Sequence, residues 1–110
     1  MKHYVIDEFR PGDFEKLTNF FNEKVGTSEI NCIYWIQIPE EILTFEQKTH
    51  KNCLPLFFVI ELDLNKISCE FLIRTKNSIK CDCMCYANKE QYNWLINYID
   101  AILDSLQIIT

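Results

Sequence analysis

Between residues 56 and 64 the chain alternates. Leu56, Phe58, Ile60, Leu62 and Leu64 share one parity, and Glu61 and Asp63 fall on the other. A period of two is the signature of a strand with one buried face. After a turn at Asn65-Lys66, the pattern resumes over 67–75 with Ile67, Cys69, Phe71 and Ile73. A second turn at Lys76-Asn77-Ser78 leads to 79–86, where Ile79, Cys81, Cys83 and Cys85 take the same parity. Three strands joined by short polar turns predict an antiparallel meander. The next period is that of a helix. Tyr92, Leu95, Ile96, Ile99, Ile102, Leu103 and Leu106 form one stripe, and Asn88 with Gln91 supplies a capping box.

The first half of the chain is read in the same way. A short strand over 3–9 ends at Pro11-Gly12, and a helix begins at about Asp13 with Phe14, Leu17, Phe20, Phe21 and Val25 on its apolar face. Gly26 falls where a left-handed C-cap belongs. A second strand over 30–38 ends at Pro39. Thr44 and Gln47 predict a capping box on a short helix over 45–51. The order β-α-β-α-β-β-β-α predicts one α+β domain over residues 1–110, with a mainly antiparallel sheet and the C-terminal amphipathic helix packed on one face.

The other face of that sheet changes the picture. Its positions are Ile33, Trp35, Phe57, Val59, Leu72, Met84 and Tyr86, among Glu61, Glu70, Arg74, Lys80 and Asp82. A solvated face is mostly polar, whereas this one is half apolar. Either the first helix covers it or a partner does, and large apolar patches mark interaction sites. A second copy is the first candidate, because two-fold dimers are the commonest oligomers.

Charge narrows the partners. Eleven basic residues against sixteen acidic ones give a net charge of −5, and only Arg10 and Arg74 are arginines. The long-range field repels polyanions, which argues against nucleic acid. It argues still more strongly against an anionic membrane surface. No window approaches the ~18 apolar residues of a membrane span, and no signal-peptide pattern opens the chain. The expected compartment is the cytoplasm, where six cysteines remain thiols.

Those cysteines are the main candidates for chemistry. Cys81, Cys83 and Cys85, completed by Cys69, Cys53 or His50, would make a thiolate metal or redox site. Geometry opposes this. Same-face strand residues lie ~6.6 Å apart, but sulfurs around one zinc lie ~3.8 Å apart. Packing as small hydrophobes beneath the helix stripe is the simpler role. His50 and Cys53 could pair as base and thiolate, but no orienting third group accompanies them. Glu40 and Glu41 near His50 would be the acids of an enzyme, though no catalytic constellation is evident. The polar stretch from Pro39 to His50, framed by Tyr34-Trp35 and Leu54-Pro55, is either a ligand groove or a solvated connector. No cofactor motif is present.

Two resemblances follow. Phe9-Arg10-Pro11-Gly12-Asp13-Phe14-Glu15 resembles the first strand and helix of an N-acetyltransferase domain, over some 20 residues. Neither Gly12 nor Gly26 belongs to the Gly-rich loop on which that family holds the coenzyme A pyrophosphate, so the activity is not expected. Over its whole length the chain resembles small bacterial proteins of unknown function. The residues carrying this are Ile33-Tyr34-Trp35, Pro39-Glu40-Glu41-Ile42-Leu43-Thr44, and Cys81 to Ala87 leading into Lys89-Glu90-Gln91. That resemblance implies a bacterial domain and assigns no catalytic residue. The reading is a non-enzymatic interaction module that self-associates, with a thiol-based metal or redox protein and a small enzyme as alternatives.

Overall fold

A computed structural model describes residues 2–26, 32–76 and 85–109. The first strand, β1, is His3–Ile6, and α1 is Asp13–Lys24. Gly12 enters α1 at φ +93°, and Gly26 leaves it at φ +108° with its N–H donating to the Phe21 carbonyl at 3.1 Å. Glycine adopts such angles without a Cβ clash. Strand β2 is Ile33–Gln37. Beyond it come a 3-10 turn over Glu40–Ile42, the short α2 over Phe45–Thr49, and a 3-10 turn over Lys51–Cys53. Strands β3 (Leu56–Leu62), β4 (Ile67–Glu70) and β5 (Arg74–Thr75) precede α3, Lys89–Ser105.

The sheet is antiparallel in the order β1-β4-β3-β2, with β5 also on β3. The α+β class and the element order expected from the chain's periodicities hold. The expected strand over 67–75 is divided. Ile60 opposes Cys69, but Phe57 opposes Arg74. Two residues of β3 therefore face four of the other strand, and 71–73 turn aside to pair with 85–87. The bonds there run from Ile73 N–H to Cys85 O and from Ala87 N–H to Phe71 O. The expected strand over 79–86 lies outside the described residues except for its end. Leu64, expected to extend the buried parity, sits instead at the β3–β4 turn and is exposed.

Both long helices pack on the same face. From β2, the Ile38 that follows it and β3, the core takes Tyr34, Ile36, Ile38, Leu56, Phe58, Ile60 and Leu62. α1 contributes Leu17 and Phe21, and α3 contributes Leu95, Ile99, Ile102 and Leu103. Phe21 stacks on Tyr34 at 5.1 Å, and Trp94 of α3 on Phe58 at 6.3 Å. Lys16 of α1 reaches the Leu106 carbonyl at the end of α3. Tyr4 joins β1 to α3 through a 2.5 Å hydrogen bond to Asp100.

The two expected capping boxes form, and they are joined. The Thr44 side chain accepts from Gln47 N–H while Gln47 Oε1 accepts from Thr44 N–H, and Asn88 with Gln91 repeats the arrangement. Gln91 Nε2 then donates to Gln47 Oε1 at 2.8 Å and to the Ile42 carbonyl at 3.0 Å. Both glutamines are buried, and Gln47 Nε2 has no hydrogen-bond partner among the described residues.

Candidate interaction face

The outer face of the sheet is built by strand register. Ile33 opposes Glu61, Trp35 opposes Val59 and Gln37 opposes Phe57. Opposed residues of an antiparallel pair share a face, so β2 and β3 place Ile33, Trp35, Phe57 and Val59 together. Trp35 and Phe57 are diagonal neighbours, a spacing that large rings can bridge. Their rings meet edge to face at 5.7 Å. Lys76, just past β5, holds its ammonium 4.7 Å from the Phe57 centroid and 5.5 Å from that of Trp35. The quadrupole of each ring attracts the cation.

The rest of this face is mainly polar, with Val5 of β1 exposed beside Ser68. Glu70 and Arg74 form an ion pair at 2.9 Å, and Ser68 and His3 are hydrogen-bonded at 3.2 Å. The apolar half thus adjoins the edge strand β2, and the polar half adjoins β1. Because α1 lies with α3 on the opposite face, it does not cover Ile33, Trp35, Phe57 or Val59. Of the two expected covers for this face, the first helix is excluded.

Four of the seven expected face residues come together. Phe57 is buried beneath Lys76 and against Trp35, while Ile33, Trp35 and Val59 are half-buried. Leu72 and Tyr86 bridge each other on the 71–73 detour, with Lys2 stacked over Tyr86. Met84 lies outside the described residues.

The thiol candidates separate. Cys81 and Cys83 lie outside the described residues. Cys85, expected beneath α3, is exposed. Its segment pairs with 71–73 at the margin of the sheet before α3 begins, so Ala87 packs against the core while Cys85 does not. Burial followed by the nearby Glu46 carboxylate raises its pKa. Cys69 is buried as expected, and burial with the Asp100 charge pushes its thiol up to about 12. Both shifts favour thiol over thiolate, the nucleophilic and metal-binding form. Cys53 is buried, and its carbonyl accepts from Thr75 Oγ1 at 2.6 Å. His50 closes α2 and is half-buried. Among the described residues no three or more His, Cys, Asp or Glu side chains are grouped to hold a metal.

The proposed groove is not framed as expected. Tyr34 points into the core, where its hydroxyl donates to Asn22 at 2.7 Å, and Trp35 points to the outer face. Adjacent strand residues cannot line one wall. Glu40 and Glu41 are exposed on a 3-10 turn. The residues that sequence reasoning missed are Lys76, read only as a turn residue, and Gln47 and Gln91, read only as caps. No helix among the described residues is long and apolar enough to cross a membrane. Comparison with family models, curated proteins and solved structures gives no match.

Proposed function

We propose that this chain is a non-enzymatic interaction module of a bacterial cytoplasm, and that it self-associates through the apolar half of its outer sheet face. One observation carries the reading: α1 and α3 share the inner face, so no helix among the described residues covers Ile33, Trp35, Phe57 and Val59. A patch of this kind beside a polar remainder fits a protein partner. The net charge of −5 disfavours a polyanion in that role.

Sedimentation velocity across the micromolar range tests this. Self-association gives a mass rising with concentration from 13.2 kDa toward twice that value. Val59→Glu, which sets a charge in the middle of the patch, shifts the equilibrium to monomer. A single monomeric mass at every concentration overturns self-association.

A further inference from the structure

We infer that the docking element is the outer edge of β2, unpaired among the described residues, which pairs antiparallel with β2 of a second copy about a two-fold axis at Trp35. The inference deepens the proposed function and rests on it.

The geometry begins with backbone parity. Leu62 N–H donates to Cys32 O at 2.8 Å, and Ile38 N–H donates to Leu56 O at 2.9 Å. The even-numbered residues of β2 therefore turn their backbone groups toward β3. By alternation, the N–H and C=O groups of Ile33, Trp35 and Gln37 turn away from it. β2 ends the strand order, and these groups have no partner among the described residues.

Edges are normally blunted by charged residues, proline, bulges or short length. The run Ile33-Tyr34-Trp35-Ile36-Gln37 has no charge, no proline and no bulge against β3. The opposite edge, β1, is only four residues long and is flanked by Lys2, Asp7 and Glu8. The apolar half of the outer face also adjoins β2 rather than β1. Both observations select β2.

Register and charge select a second copy as the occupant. Three outward-facing residues centred on Trp35 are self-complementary. Trp35 opposes its counterpart, Ile33 opposes Gln37 of the second copy, and each such pair exchanges two N–H···O bonds. Slipping by two residues loses one of the three pairs. On the outer face, Glu61 lies beside Ile33 at one end, and Lys76 lies over Phe57, beside Gln37, at the other. The two-fold brings the acidic end of each copy toward the basic end of the other. The four-residue patches then merge into one strip running across β3 and β2 of both copies.

The decisive variants act on backbone and register. Gln37→Pro deletes one outward N–H and leaves the β3 bonds and the apolar patch intact. Proline is tolerated at such an edge position. With far-UV circular dichroism and unfolding midpoint unchanged, its dimer dissociation constant rises at least tenfold. Trp35→Lys and Trp35→Glu address register without proline. Each alone is monomeric, because like charges oppose at the axis, and an equimolar mixture forms the one-to-one heterodimer by light scattering. If wild type dimerises, Val59→Glu is monomeric and Gln37→Pro dimerises as wild type does, the faces meet directly and the edge pairing is overturned while the proposed function stands. A mixture that stays monomeric beside a dimeric wild type overturns the register. A wild type monomeric at every concentration overturns both.

Discussion

Replacing Gln91 by leucine removes three hydrogen bonds from the join between the two capping boxes. Asn88 N–H donates to Gln91 Oε1 at 3.1 Å. Gln91 Nε2 donates to Gln47 Oε1 and to the Ile42 carbonyl. A neutral hydrogen bond contributes about 1 kcal/mol net, and an acceptor stranded out of water costs about 1–3 kcal/mol. Gln47 Oε1 keeps Thr44 N–H at 2.9 Å, so the Ile42 carbonyl bears most of the stranding. Leucine regains part of the loss by apolar burial. The expected net cost is roughly 2–3 kcal/mol, or about 10 °C in unfolding midpoint for a domain of this size. Gln47→Leu is cheaper than its bond count suggests, because it also deletes the unpartnered buried Nε2. A double-mutant cycle by urea denaturation then gives a coupling of about 1–2 kcal/mol between the two sites. Additive costs, or a Gln91→Leu protein within about 0.5 kcal/mol of wild type, would refute the join.

Two further outcomes follow from the buried hydroxyl and thiols. Tyr4, through burial and then its Asp100 hydrogen bond, and Cys69 both reach a pKa of about 12, from 10.0 and 9.0. Both are acids whose folded pKa is raised, so their contribution is whole below pH 9 and is lost as pH rises toward 12. The urea midpoint falls over that window, by at most about 1.4 kcal/mol per pH unit for each group. Tyr4→Phe flattens the fall, and an unchanged profile in that variant would exclude the Tyr4 contribution. In native protein an alkylating reagent labels Cys85 and spares Cys53 and Cys69 until urea unfolds the chain, as read by peptide mass mapping. Early labelling of Cys69 would contradict its burial.

How much of this was legible in the chain follows from which signals are local. The alternation of β3 up to Leu62, both capping boxes and the Leu95, Ile99, Ile102 and Leu103 part of the α3 stripe rest on neighbours within a turn or two, and these formed. Trp94 and Tyr98, left out of the stripe, also pack on the core. The break between β4 and β5 left no trace, because an insertion of two residues preserves parity. Ile67, Cys69 and Ile73 remain buried on either side of it, so the alternation over 67–75 reads as one strand. The side of the sheet taken by α1 was equally hidden, since its Leu17–Phe21 face would fit against either. The outer face itself was readable, as four of its residues sit in the regular part of β2 and β3. Cys85 was misplaced because parity says which way a residue points but not whether anything lies there to cover it. Gln47 and Gln91 were recognised by spacing, while their meeting depends on tertiary approach across 44 positions.

The tie between Tyr4 and Asp100 spans 96 positions of sequence, and it bears on how the polypeptide is made. As the ribosome emits the chain, β1 through β5 emerge before any of α3, which supplies the greater part of the cover for their inner surface. Until then Phe58, Ile60 and Ile67 lack the cover of α3, and the Tyr4 tie waits for Asp100 to leave the exit tunnel, although β1 can already pair with β4. A nascent chain halted before residue 100 therefore lacks this tie and leaves that surface bare, a species suited to chaperone capture.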